Sequence, residues 1–121
     1  MSRPLGVQPK VVAFVVGTDP DSEINQLICV DGAGASTPGN LYSVNLSWNG
    51  ATVGDNIFIW DNANKVASGT LLFMFRIPTT AGAFAAHFPA VGKRAYNGMY
   101  LNPVMAGGTM VLDMAISNGN G

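Results

Sequence analysis

His87 is the only histidine of the chain and Cys29 its only cysteine. These two residue types carry most acid–base and nucleophilic chemistry near neutral pH. A relay of serine, His87 and aspartate is arithmetically possible, but no Gly-x-Ser-x-Gly elbow frames a nucleophile. His87 follows Ala86 and precedes Phe88, which places it opposite the face shared by Phe84, Ala86 and Phe88. It is expected at the surface or in an interface. Cys29 stands between Ile28 and Val30 and reads as a small buried hydrophobe. One cysteine permits neither an intrachain disulfide nor a cysteine metal cluster.

Asp19-Pro-Asp-Ser-Glu23 spaces three carboxylates as a hard cation would like them. The stretch lacks the glycine and the distant glutamate of an EF-hand loop, so a solvated turn is expected. Gly32-Ala-Gly-Ala-Ser36 imitates a phosphate loop without its Gly-Lys-Ser/Thr ending. Asn45-Leu-Ser47 matches a glycosylation acceptor, but no signal peptide precedes it. No enzyme and no cofactor is expected. Among the aromatic residues, Tyr42 and Trp48 share the apolar face of one strand and belong to a core. Trp60 at a strand end and Tyr100 near Asn97-Gly98 are the candidates for stacking on a glycan.

The elements that would position these residues are short strands. Fifteen glycines and seven prolines punctuate the chain, and no window carries a capped stripe of 3.6-residue period. Strands are predicted over residues 10–16, 23–30, 41–49, 56–60, 68–77, 82–88, 96–101 and 109–117. The clearest is 41–49, where Tyr42, Val44, Leu46 and Trp48 alternate with Ser43, Asn45, Ser47 and Asn49. About eight strands with regular turns predict an all-β, single-domain antiparallel sandwich. Without the Cys-Trp-Cys arrangement of antibody domains, a jelly roll is the favoured form. Residues 1–9, which include two prolines, read as an extended arm, 10–117 as the sandwich and 118–121 as a loose tail.

Composition bounds the partners. Charged residues make up 11% of the chain, less than half the usual share, and net charge is -1. There is no basic stripe to neutralise a phosphate backbone, so nucleic acid is not expected as a partner. No apolar run approaches the length of a membrane span, so no membrane is expected either. Few charges on a chain that is 48% hydrophobic imply that part of the surface is covered in the working state. Leu71-Leu-Phe-Met-Phe75 points the same way, because a half-buried strand should alternate. The expected split places Leu71, Phe73 and Phe75 in the core. Leu72 and Met74 then face a second surface, with Arg76 at its rim. Ile57 is assigned to that same subunit interface.

From Asp61 to Ser117 the chain carries a spaced pattern. Asp61 is followed by Gly69-Thr-Leu71, Pro78-Thr-Thr80, Phe88-Pro89, Asn97-Gly-Met-Tyr-Leu101 and Gly107-Gly-Thr109. In this half it resembles small jelly-roll structural proteins of tailed bacteriophages, the head decoration or cement proteins and related virion components. The first half has no counterpart in that pattern. The resemblance implies a homo-oligomer, commonly a trimer, bound to the major capsid protein or another virion protein, with no catalytic residues. It would be made in the host cytoplasm and reside in the virion. The arm, through Arg3, Pro4 and Leu5, is the expected capsid contact. The alternative is a carbohydrate- or receptor-binding module on a tail or fibre, using Trp60 and Tyr100.

Overall fold

A computed structural model describes residues 6–89 and 92–118. In chain order the elements are β1 (Gln8–Val15), α1 (Asp21–Ile24), β2 (Gln26–Leu27), β3 (Gly39–Asn49) and β4 (Asn56–Asp61), then β5 (Thr70–Arg76), β6 (Ala81–His87), β7 (Lys93–Ala95), β8 (Met99–Val104) and β9 (Thr109–Asn118). They form two antiparallel sheets. One has the order β1-β9-β3-β6, with β7 beside the first residues of β3, and the other is β2-β8-β4-β5. Early and late strands alternate in both sheets, and most connections cross from one to the other. That interleaving is the arrangement of a jelly roll.

The core lies between the sheets. Val12 and Phe14 of β1, Val44, Leu46 and Trp48 of β3, and Met110, Leu112, Met114 and Ile116 of β9 face inward from the first. Ile57 and Ile59 of β4, Leu72 and Phe73 of β5, and Met99 and Leu101 of β8 meet them from the second. The strict alternation of β9 in the sequence is the direct imprint of this one-sided burial. Two close approaches are fixed by glycine. At Gly39 an added Cβ would stand 2.7 Å from Cys29 Sγ. Gly108, at φ +92°, lets the β8–β9 loop lie against the backbone of Asn49 and Gly50.

Two bulges shift faces that simple alternation mis-assigns. In β3 the register slips between Leu41 and Ser43, so Tyr42 is the extra residue. Leu41 takes the core position and Tyr42 is only half-buried. In β5 the register slips so that Ile59 pairs with Phe73 and Trp60 with Leu71. Leu72 is the inserted residue; it turns inward and is buried, while Leu71 turns outward. The expected roles of Leu71 and Leu72 are therefore exchanged.

The strand predicted over 23–30 is replaced by one helical turn, α1, followed by the two-residue β2 and an isolated bridge between Val30 and Ser36. Strand structure begins at Gln8 and continues to Asn118, so the ordered sheet extends past both expected domain bounds.

Candidate association surfaces

β4 is apolar on both of its faces, one turned to the core and one to the outside of its sheet. Ile57 and Ile59 point into the core, while Phe58 and Trp60 point away from it and are half-buried. Register places Phe58 between Met74 of β5 and Asn102 of β8, and Trp60 between Leu71 and Tyr100. The Phe58 and Trp60 rings lie 5.8 Å apart in a tilted pair. Around them Met74 is 56% exposed, Val104 52% and Leu71 38%. Asn56 pairs in register with Arg76, which closes the face with an exposed guanidinium. The Trp60 indole N–H is buried and has no hydrogen-bond partner among the described residues.

Of the expected interface residues, Met74 and Arg76 lie on this face. Ile57 and Leu72 do not. Ile57 belongs to the inward set of β4, and the bulge carries Leu72 into the core. Neither presents area to another molecule. Phe58, Leu71 and Val104 are the residues that sequence reasoning missed. Phe58 was signalled by the double-sided apolarity of 56–60, whereas Val104 had no signal outside its pairing with Asn56.

Trp60 and Tyr100 are cross-strand neighbours on the same face, as a stacking platform would need. Tyr100 is buried, however, and α1 lies against β8 beside it. Burial, with the nearby Asp21 carboxylate, raises the Tyr100 phenol above its usual range. Only Trp60 of this pair remains open for stacking. Arg3, Pro4 and Leu5 lie outside the described residues.

The opposite outer face, on the β1-β9-β3-β6 sheet, is built from small side chains. One row across it reads Val11, Asp113, Asn45 and Ala85, and the next Ala13, Val111, Ser47 and Ala83. Val11, Val15 and Val111 leave apolar area open there, interrupted by Asp113. Both outer faces thus carry apolar groups, but the aromatic and long side chains are concentrated on the second sheet.

The remaining candidates serve the fold. Asp61 accepts hydrogen bonds from the backbone N–H of Tyr96 (3.1 Å), Asn97 (2.8 Å) and Gly98 (3.3 Å). Asp55 accepts from Thr52 N–H at 3.1 Å and from Ala106 N–H at 3.3 Å. These two carboxylates flank β4, and each fastens a different end of the sandwich. Cys29 is fully buried, and burial pushes its thiol up to about 11. Tyr42 is lowered by its hydrogen bond with Ser117 and then by the one from Asn40. Asp19 accepts from Val15 N–H at 2.7 Å, and Asp21 from the Asn25 amide at 2.7 Å. Among the described residues no three His, Cys, Asp or Glu side chains gather as a metal ion would require. No described helix is long and apolar enough to cross a membrane. His87 is exposed on β6, opposite Ser43 in register.

No protein-family model matches the chain, and no curated protein sequence matches it.

Proposed function

We propose that this chain is a non-enzymatic structural protein of a phage virion, self-associating and decorating or cementing the capsid. The observation that carries the reading is the outer face of the β2-β8-β4-β5 sheet. Phe58, Trp60, Leu71, Met74 and Val104 present an apolar surface on strands whose other side already forms the core. Side chains of this size on a solvated face are what an assembling subunit keeps for its neighbours. The jelly-roll strand order is one that viral capsid proteins use, and it agrees with the resemblance seen in residues 61–117. That link is an analogy of fold and does not by itself assign a role.

In this reading the Phe58–Met74 face joins copies of the chain, with a trimer as the form that the resemblance implies. Arg76 and Asn56 form the polar rim that fixes register. Attachment to the shell is multivalent, so a modest contact at each subunit suffices to hold the oligomer. The N-terminal arm, including Arg3, Pro4 and Leu5, is the proposed capsid contact.

Two measurements test this. Sedimentation of the purified chain at micromolar concentration gives a multiple of the subunit mass, and a single-subunit mass removes the oligomer from the proposal. Quantitative mass spectrometry of purified particles gives hundreds of copies for shell decoration. A few dozen copies would move the protein to the tail or a vertex, and its absence would end the virion reading. Binding on a glycan array that is lost in Trp60→Ala would favour the carbohydrate-binding alternative.

A further inference from the structure

The two sheets have four outer edges, and three of them are blunted. β1 carries Pro9 and Lys10, β2 is two residues long, and β5 is broken by the bulge at Leu72 and ends on Arg76. These are the usual devices that stop a sheet from recruiting further strands. β6 has none of them. Its seven residues, Ala81-Gly-Ala-Phe-Ala-Ala-His87, contain no proline and no Asp, Glu, Lys or Arg, and pair with β3 without a register shift. Among the described residues no strand occupies its outer edge. Six of the seven are exposed, which is true of no other strand of comparable length.

Alanine and glycine are poor strand formers, so β6 gains little from intrinsic preference and is held by one neighbour only. Phe84 sits at its centre, stacked on Phe75 at 4.5 Å yet 42% exposed. Part of that side chain remains open.

We infer that β6 pairs antiparallel with β6 of a second copy of this chain, across a two-fold axis centred on Phe84, merging two five-stranded sheets into one. The strand is self-complementary about that point. Ala83 of one copy falls opposite Ala85 of the other, Gly82 opposite Ala86, and Ala81 opposite His87, so no two like charges oppose each other. The two Phe84 rings become cross-strand neighbours. An isologous contact requires this kind of match between a surface and itself. The inference rests on the reading of the chain as a self-associating subunit and adds a second contact to it. A three-fold contact through the face of one sheet and a two-fold contact through the edge of the other are compatible, and together they link oligomers.

Ala83→Lys and Ala85→Lys combined in one chain test it, since each lysine would then stand directly opposite a lysine of the other copy, while both side chains lie on the exposed face of β6 and leave the core untouched. The wild-type mass in sedimentation should be at least twice that of this double variant, with circular dichroism unchanged. A second measurement reads the register. Ala83→Cys and Ala85→Cys chains, mixed and treated with a mild oxidant, should form an intermolecular disulfide, because directly opposed residues lie within disulfide reach. Neither variant alone should do so, and Cys29 is too deeply buried to compete. An oligomeric wild type whose mass is unaffected by the double lysine variant overturns the edge pairing and leaves self-association standing. That same result covers the case in which the edge takes a strand from a different protein. A monomeric wild type overturns both.

Discussion

Replacing Met74 by serine asks whether the outer face of the second sheet holds subunits together. Complete burial of a methionine side chain is worth about 1.5–3 kcal/mol. Met74 is 56% exposed in the isolated subunit, so association has roughly half of that still to gain, about 1–1.5 kcal/mol per subunit. Serine forfeits it. The expected loss is about five- to tenfold in affinity for each subunit contact, or roughly 100- to 1,000-fold in a trimer association constant. The substitution leaves the fold alone, because exposed changes of this kind stay within about 0.5 kcal/mol. Sedimentation equilibrium over a concentration series reads the association constant, and urea unfolding of the diluted subunit checks stability. A Met74→Ser curve that superimposes on wild type, with unchanged urea midpoints, would refute the assignment of this face.

Asp61→Ala strips the acceptor from three backbone N–H groups and should destabilise the subunit by about 3 kcal/mol, given about 1–3 kcal/mol for each orphaned polar group and partial access of water here. Hydrogen exchange at Tyr96, Asn97 and Gly98 should rise with it; normal protection there would count against the carboxylate clamp. In β5, Leu72→Ala should cost about 2–5 kcal/mol and Leu71→Ala under 1, and the reverse order would contradict the bulge. The Cys29 thiol is raised from 9.0 to about 11 in the folded state, so folding retains its proton where the unfolded chain releases it. The stability it contributes is complete below pH 9, falls as pH rises toward 11, and amounts to roughly 3 kcal/mol across that window. Wild type and Cys29→Ala unfolded by urea at several pH values should differ in slope only there; parallel profiles would contradict the burial argument.

The fold was legible where one face of a strand is buried and the other is not. The alternation in 41–49 and 109–117 gave the inward sets of β3 and β9 almost completely, because period-two patterning ties every side chain to one face. It failed at Tyr42 and Leu72, since a single inserted residue reverses all that precedes it and leaves no mark in composition. It failed again at α1, whose single turn is shorter than any window in which helical periodicity can be counted. The candidate face was half visible. Met74 and Arg76 follow the phase of β5 beyond its bulge, so they lie on the outer face that the alternation implies. Ile57 was not, because both sides of β4 are apolar and only its neighbours decide which side faces inward. The β6 edge was invisible, because a free edge is a property of strand order rather than of any one strand.

The chain has two tryptophans, one on each sheet, and the fold sends one to the core and the other to an outer face. Trp48 is sealed in the core and donates its indole N–H to the Thr79 carbonyl at 3.0 Å. Trp60 lies on the outer face with Phe58. The protein therefore contains two native fluorophores with different sensitivities, one to unfolding and one to whatever covers that face. With Trp48 replaced by Phe, emission from Trp60 becomes a dilution-sensitive optical gauge of assembly; with Trp60 replaced, the remaining signal follows the fold alone.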